Sequence, residues 1–232
     1  MPRVDVSYQT GFTRWECNRN MSGQQIVLGV TGGIAAYKSA DLVRRLRDAG
    51  ADVRVVMTGG AQAFVTPLTF QAVSGHPVHT TLLDEEAESG MGHIELARWA
   101  DLVLVAPATA DFMARLAHGL ADDLLTTLCL ATAAPLLLAP AMNQQMWANP
   151  ATQSNLALLE ERGVRFEGPV SGSQACGESG PGRMVEVADL VKAVLPSDEG
   201  SLAGRHVLVT AGPTYEDIDP VRFIGNRTSG RM

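Results

Sequence analysis

Apolar residues gather in short runs at 26–30, 53–57, 102–106 and 136–139, and the stretches between them largely carry helical spacing. Strands apolar on both faces belong to parallel sheets covered on both sides, whereas a strand with one wet face alternates. The runs therefore predict an α/β fold, a doubly wound parallel sheet with helices on both faces. Helical spacing over 34–49 stops at Gly50, a residue suited to the left-handed position past a helix end. Further helices are expected over 61–74 and, as one long apolar helix, over 110–132. A weak strand near Val78 and an acidic loop at 84–88 precede the third run. Asn149 and Pro150 form an N-cap and first-turn pair for a helix ending at Gly163, and 164–166 adds another strand.

Composition narrows the class of partner. A chain of 232 residues that is 46% hydrophobic can bury one substantial core plus a fragment of something else. A formal net charge of −7 without a Lys/Arg run excludes a nucleic-acid surface and an anionic membrane, leaving a small molecule. The longest apolar run, 128–142, contains Pro135 and Pro140 and falls short of the roughly 20 residues that span a bilayer, so no membrane helix is expected. Cys17, Cys129 and Cys176 suggest neither a disulfide framework nor zinc, and a reducing cytoplasm fits them best. Residues 1–20 have no periodicity and no apolar segment of a signal peptide, and are expected to be a disordered extension. His76 and His79 flank Pro77 with no third ligand in view, so no metal site is expected; His118 and His206 read as structural.

Ligands in open α/β sheets sit outside the carboxyl ends of the strands, so the loops after the apolar runs carry the candidate chemistry. Pro140-Ala141-Met142-Asn143-Gln144-Gln145-Met146-Trp147 follows the fourth run, where Asn143 can hold a carboxylate while Met146 and Trp147 close over it. After the first run, Gly32, Gly33 and Ile34 bring backbone amides towards a phosphate or a flavin edge, unless the glycines serve only tight packing. The dinucleotide spacing G-x-G-x-x-G is missing, and Met57-Thr58 stands where a ribose-binding acid belongs, which argues against NAD. FMN has no second ribose and escapes that objection.

His93 opens a short helix beyond the acidic loop, either as a capping residue or for acid/base work. Thr109 or Asp111 caps the helix after the third run, whose first amides can also hold a cofactor phosphate. Residues 172–184 hold four glycines and one proline around Cys176 and describe a mobile flap. Cys176 is there a candidate proton donor or nucleophile, against the alternative of an incidental surface thiol, while Cys129 lies inside an apolar helix and reads as structural.

Four ordered motifs, Gly32-Gly33-Ile34-Ala35-Ala36-Tyr37-Lys38, Gly92-His93-Ile94, the Pro-Ala-Met-Asn-x-x-Met-Trp stretch and Gly172-Ser173-Gln174-Ala175-Cys176-Gly177, resemble the homo-oligomeric flavin-containing cysteine decarboxylases, over about 26–195. The resemblance is strongest to their phosphopantothenoylcysteine decarboxylase branch and implies a Rossmann-like (flavodoxin-like) sheet that uses FMN to decarboxylate 4′-phosphopantothenoylcysteine to 4′-phosphopantetheine. It implies that His93 assists the oxidative half-reaction, that Asn143 holds the substrate carboxylate, and that Cys176 protonates an ene-thiol, with Met146 and Ser173 beside the substrate. It also implies FMN held between subunits of a trimer, with a dodecamer as the larger assembly, by Gly32, Gly33, Ile34, Thr58, Thr109, Ala110, Asp111, Phe112 and Ala141. Thr109-Ala110-Asp111-Phe112 departs from the Ser-Ala-Asn-Thr of many relatives, and a carboxylate facing a phosphate is unfavourable.

The domain thus expected over 21–195 gives way to a polar linker at 196–204. Residues 205–232 open with a new strand at 206–210 and resemble the start of a phosphopantothenate-cysteine ligase domain, cut too short for a core of its own, so ligase activity is not expected. The rival readings are a peptidyl-cysteine decarboxylase and a flavin prenyltransferase of the same fold. A phosphatase-regulating role would bring a long acidic tail, which the sequence lacks.

Overall fold

The computed structural model describes residues 23–82, 92–174, 177–194 and 215–225. The extension at 1–20, the acidic loop, the linker and the strand expected at 206–210 lie outside the described residues. The chain divides into two compact units, 1–196 and 197–232. In the second unit the described residues form one antiparallel pair, β8 (Tyr215–Asp217) and β9 (Phe223–Gly225).

The first unit is built on a five-stranded sheet in which every pairing is parallel, in the order β2-β1-β3-β4-β5. The strands are β1 (Gln25–Val30), β2 (Asp52–Met57), β3 (Leu102–Ala108), β4 (Leu136–Pro140) and β5 (Arg165–Phe166). This is the flavodoxin-like order, and it confirms the doubly wound α/β reading. Because β1 lies between β2 and β3, the chain reverses its direction of travel across the sheet there, and the loops leaving β1 and β3 diverge to opposite faces.

Alternate strand residues serve two cores, as the period of two requires. Ile26, Leu28, Val55, Leu104 and Ala139 face one cluster, which includes Leu42 and Leu46 of α1 (Ala36–Asp48), Phe70 of α2 (Pro67–Ser74) and Leu190 of α8 (Val187–Val194). Val27, Val103, Val105 and Leu138 face the other, with Leu96 of α3 (Gly92–Trp99), Met113 of α4 (Ala110–Ala117), Leu128 of α5 (Leu124–Ala131) and Leu159 of α7 (Pro150–Glu161). Strands buried on both faces explain why the runs read as nearly continuous rather than alternating.

Several expectations are corrected. The long helix over 110–132 is two helices, because Asp123 accepts from the Thr126 amide at 2.8 Å while the Thr126 hydroxyl accepts from the Asp123 amide at 3.4 Å, a reciprocal cap that starts α5 afresh. The helix over 61–74 is a 3₁₀ turn, Ala61–Ala63, followed by α2, whose first turn Pro67 opens since it has no amide hydrogen to lose. Helix α1 starts at Ala36 rather than 34, and Gly50 follows it with φ +97° as expected. Near Val78 there is only a single parallel bridge, from Val56 to His79. Strand β3 runs on through a cis Ala106–Pro107 bond to Ala108. The glycine-rich segment forms an antiparallel hairpin of β6 (Val170–Ser173) and β7 (Ser179–Arg183).

The Asp123 cap is testable by itself. Asp123→Ala should lower stability by about 1 kcal/mol, read as a reduced urea midpoint at unchanged slope, while Asp123→Asn, which keeps the acceptor, should lose far less.

Candidate functional site

A cavity of about 700 Å³ opens at the carboxyl ends of the strands where the β1 and β3 loops part. Gly32, Gly33, Ile34, Thr109, Ala110, Ala141, Asn143, Met146 and Ser173 all line it. Four segments far apart in sequence thus reach one space, and each is tied locally.

The β1 loop is tied to the β3 loop by buried hydroxyls. Thr31 donates to the Pro107 carbonyl at 2.7 Å and accepts from the Thr109 amide at 3.2 Å, and Ser39 donates to the Ala106 carbonyl at 2.6 Å. Thr109 caps α4, accepting from the Phe112 amide at 3.3 Å. Gly32 meets the loop after β2: a Cβ on it would stand 2.9 Å from the Gly60 carbonyl carbon. The Thr58 amide donates to Val30 at 3.0 Å, which holds that second loop in place.

The β4 loop carries Asn143 as the N-cap of α6 (Gln144–Ala148), its Oδ1 accepting from the Gln145 amide at 2.8 Å. Its Nδ2 donates to Gln174 Oε1 at 3.3 Å and to Glu178 Oε2 at 2.7 Å, so the hairpin leans on this amide. The Met142 amide donates to the Gly182 carbonyl at 2.9 Å, and Gly182, at φ +132°, would place a Cβ 2.3 Å from the Met142 oxygen. Only glycine permits that approach.

Some sequence candidates stand apart from the cavity. Phe112 is 2% exposed within the second core, and Thr58 acts through the loop hydrogen bond. Asp111 turns its carboxylate, 75% exposed, to Arg115 at 2.9 Å, and Arg115 also binds Asp122 at 2.6 Å. Trp147 packs against the second core instead of closing over the cavity as expected; in so short a helix its neighbour Met146 takes the cavity side. His93 sits on α3 away from the lining residues, with its Nδ1 buried and without a hydrogen-bond partner. Cys176 lies outside the described residues.

Sequence reasoning gave no role to Lys38, Gln174 or Arg183, which also line the cavity. Lys38 and Arg183 both pair with Glu186, at 3.4 and 2.5 Å, so two cations converge on one carboxylate beside a mostly apolar space. Lys38 was legible as part of the GGIAAYK motif, but its partner is 148 residues away. Among the described residues no cluster of three His, Cys, Asp or Glu side chains is placed to hold a metal. His76 instead meets Asp52 at 2.7 Å. Burial pushes the Cys129 thiol up to about 12, which keeps it protonated and inert, in line with a structural role.

Residues 15–197 match the model of the family described as Flavoprotein. The chain belongs to this family. Residues 202–232 of this flavoprotein match a second model, the DNA/pantothenate metabolism flavoprotein C-terminal domain. The Escherichia coli K12 protein named coenzyme A biosynthesis bifunctional protein CoaBC is 58% identical over 215 residues, covering 92% of this flavoprotein and 53% of that protein. The chain therefore spans about half the length of the curated relatives it matches. Among solved structures, a Cys→Ser mutant of PPC decarboxylase complexed with pantothenoylaminoethenethiol superposes with a TM-score of 0.67 at 34% identity, over 74% of this flavoprotein and 96% of that chain. The FMN-dependent cysteine decarboxylase SpaF gives 0.65 at 33% identity, over 75% and 97%.

Gly32→Ala should cost about 1–3 kcal/mol, because backbone faces backbone at Gly60 and neither side has a rotamer to yield. Gly59→Ala, where an added Cβ meets nothing within 4 Å, should change stability by less than about 0.5 kcal/mol in the same thermal melts.

Proposed function

We propose that this flavoprotein catalyses the FMN-dependent decarboxylation of 4′-phosphopantothenoylcysteine to 4′-phosphopantetheine in coenzyme A biosynthesis. The observation that carries the reading is the meeting of the glycine loop, the Thr109 turn, Asn143 and Ser173 around one cavity. A ligand of FMN's size fits a space of about 700 Å³. The missing side chain at Gly33, whose added Cβ would lie 3.7 Å from Thr109, leaves a cradle between two loops that a planar group can enter.

Gly32, Gly33, Ile34, Thr109, Ala110 and Ala141 are the proposed contacts to the cofactor from within the cavity. Thr58 and Phe112 support them by holding the loops, and Asp111 turns its carboxylate to Arg115 and does not line the cavity, so it does not set that carboxylate against a phosphate. Lys38 and Arg183 give the cavity the positive charge that a phosphorylated, carboxylate-bearing substrate calls for.

When bound, FMN would supply a two-electron oxidation of the substrate's cysteine moiety by taking up the electrons, and would return them to the ene-thiol in the closing reduction. In the step between, the bond to the carboxylate breaks, carbon dioxide leaves, and the electron pair is delocalised into the thiocarbonyl as an ene-thiolate. Asn143 holds the carboxylate by its amide N–H, with Met146 and Ser173 beside the substrate. Cys176 donates the proton that the ene-thiol needs as it is reduced. His93 assists the oxidative half; since it does not line the cavity of its own chain, it serves a neighbouring copy in the proposed trimer, where its unpartnered Nδ1 finds use. A dodecamer of such trimers and a cytoplasmic location complete the reading.

The test is mass spectrometry of the products after incubation with 4′-phosphopantothenoylcysteine. 4′-Phosphopantetheine is expected; an unchanged substrate beside a decarboxylated peptidyl-cysteine, or a prenylated flavin, would replace this reading by one of its rivals. Cys176→Ser should still release carbon dioxide but accumulate the ene-thiol, two hydrogens lighter than the product, with product formation down by about 10²-fold or more.

A further inference from the structure

We infer that Glu178 is an internal competitor for the substrate carboxylate. Its own carboxylate takes the Asn143 amide until the substrate's displaces it, and retakes it once carbon dioxide has left. The inference rests on the proposed role of Asn143 as carboxylate holder.

An asparagine amide has two N–H donors and one carbonyl acceptor. In Asn143 the carbonyl is committed to the Gln145 amide as the helix cap, which fixes the plane of the group. Its N–H groups are engaged by the hairpin, at Gln174 Oε1 and, more closely, at Glu178 Oε2. A substrate carboxylate can receive a hydrogen bond from Asn143 only when one of these is released. Of the two, Gln174 is braced on three sides, since its Oε1 also accepts from the Gln144 amide at 3.2 Å and its Nε2 donates to the Pro181 carbonyl at 3.2 Å. Glu178 is exposed and has no ion pair among the described residues; its side chain is held there by the amides of Asn143 and Gln144, at 2.7 and 3.2 Å.

Glu178 is therefore the partner that yields, and it yields to a group of its own kind. Asn143 needs no help from it in orientation, which the cap already provides. The hairpin does not depend on it either, because the Gln174 amide donates to the Glu178 backbone carbonyl at 2.8 Å whatever the side chain does. The product has no carboxylate to set against Glu178, so exchange at Asn143 favours product departure while leaving acid binding weaker than it could be.

The probes are 4′-phosphopantothenoylserine, whose oxygen in place of sulfur prevents turnover, and its decarboxylated counterpart, 4′-phosphopantothenoylethanolamine. Both are titrated calorimetrically into the FMN-loaded protein. Glu178→Ala should bind the serine compound about 5-fold tighter, the loss of one exposed charge-assisted competitor, and the ethanolamine compound unchanged. Glu178→Gln, which keeps an acceptor but not the charge, should fall between. Unchanged or weaker binding of the serine compound by Glu178→Ala would overturn the inference. Asn143→Asp tells the two levels apart, since aspartate retains the helix cap but has no N–H to donate. If it loses affinity for the serine compound alone, the carboxylate role of Asn143 stands, and a failure at Glu178 is a failure of the competition only. If Asn143→Asp leaves that affinity intact, the carboxylate role and the inference built on it both fall.

Discussion

The cavity depends on the Thr31 hydroxyl. Strands β1 and β3 are neighbours whose loops leave for opposite faces of the sheet, so nothing in the ladder holds those loops in register. Thr31, 1% exposed, does so by donating to Pro107 and accepting from Thr109, using both capacities of its hydroxyl in a place without water to replace either. The Thr109 amide it receives belongs to the residue that caps α4, so the start of that helix and the glycine loop are set by one side chain. A valine of the same shape would leave a buried carbonyl and a buried amide unsatisfied, which is costlier than the net worth of the bonds themselves.

The opposite wall is held in another way. There the β4 loop and the hairpin exchange backbone and amide hydrogen bonds, Met142 to Gly182, Asn143 to Gln174, Gln144 to Gln174. These are partly exposed and individually worth little, in contrast to the buried hydroxyl of Thr31. One wall is consequently rigid and suited to a cofactor that stays, the other is suited to a substrate that comes and goes. The division of labour proposed between the glycine loop and the Asn143 side is in keeping with that difference in burial.

The sheet was legible because its strands are buried on both faces and announce themselves as apolar runs. The breaks were harder to see. Gly119, at φ +70°, ends α4 as Gly50 ends α1, and it was passed over because the stretch around it is apolar; the Asp123 cap that restarts the helix is visible only when the side chain is seen to fold back on the amide three residues on. Gly32 and Asn143 could be assigned to one site because they follow strands, and Ser173 because it stands in a motif of the resembling family. Trp147 was placed wrongly because a helix of five residues gives no period from which to choose its inner face. Lys38 and Arg183 carried no signal of their meeting, since it depends on Glu186 and on the hairpin's return across the sheet.

The exposed apolar side chains bear on assembly. Ile34 and Tyr37, 60% and 63% exposed, and Met146, 48% exposed, all line the cavity, so its mouth presents apolar surface to water on both sides. Leaving such side chains wet forgoes about 25 cal/mol for each Å² that a neighbour would cover. On α3, apart from the cavity lining, stands His93, whose buried Nδ1 has no hydrogen-bond partner among the described residues, a group that natural proteins seldom leave unsatisfied. A cavity open along an apolar rim and an imidazole that no residue of its own cavity reaches have a common remedy in self-association. The proposed trimer would cover the rim and bring the imidazole to a cavity in the same step, so that assembly would be part of building the site.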